Sequence, residues 1–109
     1  MRNAAEQAAV WHYRLRGYRI LGTNVWAGGN EIDLIARRGR RLVFCEVKSK
    51  GGVARGDPLE MVGAEKQRRL RRAAEAWLAT RPELAGLEAT FDVVAVRDGK
   101  LERVRDAFV

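Results

Sequence analysis

The chain has 109 residues, 47% of them hydrophobic, with 21 Lys and Arg against 14 Asp and Glu for a formal charge of +7. A chain of this length buries roughly two-thirds of the surface it exposes when unfolded, enough for one core and not two, so a single domain over residues 1–109 is expected. One Cys (Cys45), one His (His12) and one Ser (Ser49) exclude a disulfide scaffold or a Cys/His zinc cluster within one chain, and leave carboxylates, Lys and Arg to carry any catalysis.

The basic residues are 17 Arg and only 4 Lys. Arg offers a rigid planar fork of donors suited to phosphate, so nucleic acid is the first partner class to test. An Arg-rich proteome would produce the same bias without any such partner. No run of about 20 apolar residues occurs, and Glu6 interrupts the only alanine-rich N-terminal stretch. A cytoplasmic location and no membrane partner are expected.

Asn3 to Arg16 reads as an alanine-rich helix ending at Gly17. It has two apolar stripes, Ala9, Val10 and Tyr13 beside Glu6, and Ala4, Ala8, Trp11 and Leu15, so the pattern leaves its buried face open; Trp11 is expected to pack. Tyr18 to Leu21 is a short extended run. Ala27-Gly28-Gly29-Asn30 is a turn, and Trp26 falls in the loop before it, where an indole could stack on an unpaired base or cover the sheet edge or a subunit contact. Glu31 to Ala36 and Leu42 to Lys48 are strands joined around Gly39 as a β-hairpin. Gly51 to Pro58 is a glycine-bearing loop and a candidate flap. Leu59 to Thr80 is an amphipathic helix, with Leu59, Val62, Leu70, Ala73 and Trp77 on one side, Arg68, Arg72 and Glu75 on the other, and Pro82 ending it. Thr90 to Val96 is a strongly apolar strand, turned by Asp98-Gly99 into Lys100 to Arg105. Helix, three strands, helix, two strands is the order of an α/β sheet with helices over its faces.

Chemistry concentrates on the central hairpin. Strand alternation puts Glu46 and Lys48 on one face, and the hairpin can bring Asp33 beside it, so that two carboxylates and an ammonium converge. Phosphodiester hydrolysis gives such a cluster a purpose: hard oxygen ligands hold a magnesium ion, the ion lowers the pKa of a bound water, and a lysine orients that water. The plain alternative is a solvated hairpin face with Val43, Cys45 and Val47 packed inward. Against it, Leu42 and Phe44 share the face of Glu46 and Lys48, so both sides of the strand read as buried and its charged end as a site.

Asn30-Glu31-Ile32-Asp33-Leu34-Ile35-Ala36 followed by Leu42-Val43-Phe44-Cys45-Glu46-Val47-Lys48 resembles the signature of the YraN-like uncharacterised protein family, of the PD-(D/E)XK or restriction-endonuclease-like superfamily. The likeness continues through Gly17 to Leu21, Phe91 to Val96 and Arg105 to Phe108. It implies a restriction-endonuclease-like three-layer α/β fold, a central mixed sheet of about five strands flanked by helices. It places Asp33, Glu46 and Lys48 at catalytic positions, and Glu6 at the extra acid of relatives resembling archaeal Holliday-junction resolvases. The chain has Asn30 where relatives usually have Gly, and Asn tolerates left-handed backbone, so a turn there survives. Glu31 shares the face of Asp33 as a further ligand or a supporting residue.

The expected function is therefore Mg²⁺-dependent endonuclease action on DNA, or nuclease-like nucleic-acid binding. Asp33, Glu46 and the Val47 carbonyl would hold Mg²⁺ (or Mn²⁺), Lys48 would orient water, and Glu6 would assist. On the second helix Lys66 either snorkels from a core position or reaches the site, with Gln67 on its flank. Arg68, Arg69, Arg71 and Arg72 form a basic ridge for a phosphate backbone or a solvated helix surface. One active site per chain means that cutting both strands requires a homodimer or two encounters. The alternative is a non-catalytic nucleic-acid- or protein-binding module on the same fold. Cys45 is expected as a buried small hydrophobe and His12 as packing, which argues against a thiol enzyme.

Overall fold

Helix α1 spans Ala4–Arg14 in the computed structural model, which describes residues 3–49 and 62–108. A capping box starts it: Asn3 Oδ1 accepts from Glu6 N at 2.8 Å while Glu6 Oε1 accepts from Asn3 N at 3.4 Å. Gly17, at φ 87°, lets the chain turn back so that Tyr18 N donates to Tyr13 O at 3.0 Å. Three antiparallel strands follow, β1 (Arg19–Ala27), β2 (Asn30–Arg38) and β3 (Arg41–Ser49). Helix α2 (Ala64–Ala79) and one 3-10 turn (Pro82–Leu84) lead to β4 (Glu88–Arg97), parallel to β3, and to β5 (Lys100–Val104), antiparallel to β4. The sheet runs β1-β2-β3-β4-β5 and is mixed, as expected.

The alternating side chains of β3 divide the core in two. Val43 and Cys45 pack with Leu34, Ala36 and Val94 against Ala9, Val10 and Tyr13 of α1. Leu42 and Phe44 pack with Ile32 and Ile35 against Ala73, Ala74 and Trp77 of α2. One helix thus covers each face of a five-stranded sheet, the three-layer arrangement expected. A third cluster, Val62, Leu70, Val93, Ala107 and Phe108, closes the β4 side.

Local differences from the sequence reading have physical causes. β1 runs to Ala27 and not to Leu21, because pairing with β2 carries Thr23 to Trp26 into the sheet past an irregularity between Ile20 and Gly22. Trp26 accordingly lies on a strand, opposite Glu31, and not in a loop. Trp11 is 56% exposed, since α1 docks through the smaller stripe of Ala5, Ala9, Val10 and Tyr13. The left-handed turn residues are Gly28 and Gly29, while Asn30 is already in β2 and donates to Gly28 O at 3.1 Å. α2 starts at Ala64, behind Gly63, so buried Val62 precedes it; Leu59 to Met61 and the Gly51 to Pro58 loop lie outside the described residues. It also ends before Pro82, which opens the 3-10 turn.

Candidate functional site

The sheet creates the site where two of its strands part. β2 and β3 pair from Arg38↔Arg41 up to Leu34↔Cys45, whereas β3 stays paired with β4 as far as Ser49↔Val96. Just past the end of the β2–β3 ladder, Asp33 Oδ2 accepts a hydrogen bond from Val47 N at 2.8 Å. Glu46 follows Cys45 on β3 and is only 5% exposed. Its Oε2 lies 3.4 Å from Lys48 Nζ and 3.6 Å from Lys66 Nζ, and its Oε1 is buried with no hydrogen-bond partner among the described residues. Asp33, Glu46 and Lys48 therefore converge, and Lys66 reaches into the cluster from the first turns of α2.

Burial and the neighbouring Glu46 carboxylate push the Asp33 carboxyl up to about 7, against the opposing hydrogen bond from Val47 N–H, with Glu6 and Glu31 adding to the rise. Glu6 is near enough to be felt and is held in place: Asn24 Nδ2 donates to its Oε2 at 3.2 Å, and the capping box holds Oε1. Asn24 sits opposite Asp33 on β1, between the pairs Thr23↔Leu34 and Val25↔Ile32, with left-handed backbone at φ 51°. Sequence reasoning missed Asn24; its only signal is a residue type that adopts left-handed backbone more readily than most. Glu31 is exposed on the strand beyond.

Two buried or half-buried carboxylates at a strand fork, one with an orphaned oxygen, suit a hard divalent cation, because an unpaired buried carboxylate oxygen is costly and oxygen ligands are what such a cation takes. Among the described residues, no group of three or more His, Cys, Asp and Glu side chains is placed to hold a metal ion; the carboxylates at the fork are the pair Asp33 and Glu46.

The other polar residues of α2 lie in separate settings. Gln67 Nε2 donates to Val62 O at 3.1 Å. Arg68 and Arg69 pair with Glu65 at 2.7 and 3.2 Å on the exposed surface. Arg71 lies over the rings of Phe91 and Phe108, 5.3 and 5.7 Å from their centroids, so it leaves the ridge for the sheet side. Arg72 is exposed. Cys45 is fully buried, and burial pushes its thiol up, away from thiolate chemistry. His12 is half-buried, edge-on to Tyr13, with Nε2 unpartnered among the described residues; burial and Arg16 lower its pKa. No helix among the described residues is long and apolar enough to cross a membrane.

Comparison with known proteins identifies a family. The chain is 45% identical over 92 residues to a UPF0102 protein of Syntrophotalea carbinolica, covering 84% of this chain and 74% of that protein. It is 47% identical over 105 residues to a UPF0102 protein of Symbiobacterium thermophilum, covering 94% and 86%. A UPF0102 protein of Chlorobium phaeobacteroides is 40% identical over 114 aligned positions, covering 95% and 90%. The model of that family matches residues 5–96, which include the α1 acid, the β2–β3 fork and α2, and the chain belongs to the uncharacterised protein family UPF0102.

Proposed function

We propose that this protein is a metal-dependent nuclease of the PD-(D/E)XK type acting on DNA. The observation that carries the reading is the convergence of Asp33, Glu46 and Lys48 at the strand fork, with Glu46 Oε1 buried and unpartnered among the described residues. Asp33 and Glu46, with the Val47 carbonyl, would hold Mg²⁺ or Mn²⁺, which supplies charge stabilisation and an acidified water when bound. Lys48, half-buried beside Glu46, would orient the attacking water. Lys66 offers a second ammonium to a phosphate oxygen entering the cluster. Glu6, fixed by Asn24 and Asn3, keeps the field at Asp33 negative and so favours a cation there. Arg72, with Arg68 and Arg69, presents charge to a phosphate backbone, which predicts binding that weakens steeply with salt.

One observation favours a second reading. Both lysines already lie on Glu46 Oε2, so the protein itself supplies counter-charge to that carboxylate, which suits a nucleic-acid-binding module without catalysis. Incubation with linear, single-stranded and four-way DNA, with and without Mg²⁺ or Mn²⁺, separates the two. Metal-dependent cleavage that Glu46→Gln abolishes supports the nuclease. Salt-sensitive binding without cleavage of any substrate leaves the binding module alone.

A further inference from the structure

The opposite end of the same hairpins carries arginines that face one another. Arg19 of β1 is registered directly across from Arg37 of β2, and Arg38 of β2 across from Arg41 of β3. Like charges directly opposite on a sheet are destabilising, and among the described residues none of these four forms an ion pair with a carboxylate. Arg41 Nη1 is moreover buried without a hydrogen-bond partner among the described residues. Gly17, Arg19, Arg37, Arg38 and Gly39 line an open cleft of about 350 Å³ here.

Two of the guanidiniums are already aimed. Arg37 Nε donates to Gly39 O at 2.9 Å, and Arg38 Nη1 donates to Arg16 O at 2.8 Å while its guanidinium lies 4.7 Å from the Tyr18 ring centroid. Each spends one of five donors on its own anchoring, which leaves the rest of a planar fork without a hydrogen bond among the described residues. A fixed, uncompensated set of forks is the arrangement that takes up a phosphate group bidentately. Along β2, Arg37 is four residues from Asp33, about 13 Å at the rise of a strand, so the cleft is separate from the carboxylate fork.

We propose that Arg19, Arg37 and Arg38 form a phosphate-binding site at this end of the sheet, filled by a backbone phosphate of nucleic acid or by the phosphate of a small molecule. It requires neither metal nor cleavage, so its test is run on Glu46→Gln protein in EDTA, where failure of the nuclease reading has no bearing on it. Inorganic phosphate titrated into labelled protein should shift the Gly17 and Gly39 amide resonances saturably. A labelled DNA duplex should bind with an affinity that Arg19→Gln/Arg37→Gln lowers at least about tenfold. The dependence of its logarithm on log salt should flatten by about two units. Lys100→Gln/Arg105→Gln, removing equal charge elsewhere, should do much less, and Arg19→Lys/Arg37→Lys should rescue only part, since it restores charge without the fork. Phosphate shifts with unchanged DNA affinity would assign the site to a small phosphorylated ligand. Absence of saturable phosphate shifts in the unsubstituted cleft, together with DNA binding no weaker than in the charge control, overturns the proposal.

Discussion

Asp33 is the residue whose ionisation most directly reports on the site. Its carboxyl titrates near 7 in the folded protein and at the ordinary carboxylate value of 3.8 when unfolded. Below pH 3.8 it is protonated in both states and costs nothing; as pH rises from there through 7, the unfolded chain ionises while the folded protein holds its proton, and stability falls. Asp33→Asn removes that loss. In EDTA the variant should match the native protein at about pH 4 and exceed it at about pH 8 by roughly 2–4 kcal/mol, as read by thermal unfolding; parallel stability curves would refute the assignment. Lys48 tests the opposite property. Its side chain is 27% exposed and, among the described residues, paired only with Glu46, so Lys48→Ala should change stability by about 1 kcal/mol or less. Cleavage should nevertheless fall by about 100-fold or more. A folded Lys48→Ala protein that cleaves at the native rate would remove Lys48 from the chemistry.

At the scale of elements, the site depends on how closely α2 lies on the β1–β2 turn, since α2 delivers Lys66. Gly28 makes that approach: it has φ 58°, and a Cβ there would stand 3.1 Å from Arg72 O and 3.2 Å from Ala73 Cα. Gly29, at φ 78°, has open space in the same position. Gly29→Ala should therefore cost about 1 kcal/mol of backbone strain, while Gly28→Ala should cost about 2–4 kcal/mol by adding a clash with helix backbone. Chemical denaturation of the two variants makes the comparison, and equal losses would mean that helix and turn are not in firm contact. The neighbouring elements show how local pattern reaches its limit. α1 has two apolar stripes, and the choice between them falls to docking on Leu34, Val43 and Cys45, which leaves Trp11 and Leu15 outside.

Across the whole molecule, a buried polar clamp ties the first helix to the last strand. Asp92 of β4 is fully buried; its Oδ2 accepts from Tyr13 Oη at 2.7 Å and from Arg103 Nε at 2.9 Å, and its Oδ1 accepts from Asp106 N at 3.2 Å. Arg103 Nη2 also donates to Tyr18 Oη at 3.3 Å, and its guanidinium lies 4.6 Å from the Tyr13 ring centroid. Removing the acid alone strands a half-buried cation and a buried hydroxyl. Asp92→Ala should accordingly cost about 3–5 kcal/mol, measured by chemical denaturation, with Arg103→Leu/Asp92→Leu costing less than Asp92→Ala because neither partner is left unpaired. A loss under about 1 kcal/mol for Asp92→Ala would show that the clamp contributes little net stability.

Most of the architecture is legible in the chain itself, because periodicity is a local property. The order of helices and strands, the β2–β3 hairpin around Gly39, the Asp98-Gly99 turn, the burial of both faces of β3 and the common face of Glu46 and Lys48 all follow from spacing and turn chemistry. What tertiary structure decided is which distant groups meet. The parting of β2 from β3 brings Asp33 to the Val47 N–H, docking of α2 brings Lys66 to Glu46, and a left-handed Asn24 brings Glu6 toward Asp33. Arg71 is diverted onto two aromatic rings, and Asp92 finds three donors from the two ends of the chain. None of these contacts has a sequence period, because each depends on the crossing of separate elements and on burial, which sets the strength of every charge and hydrogen bond at the site.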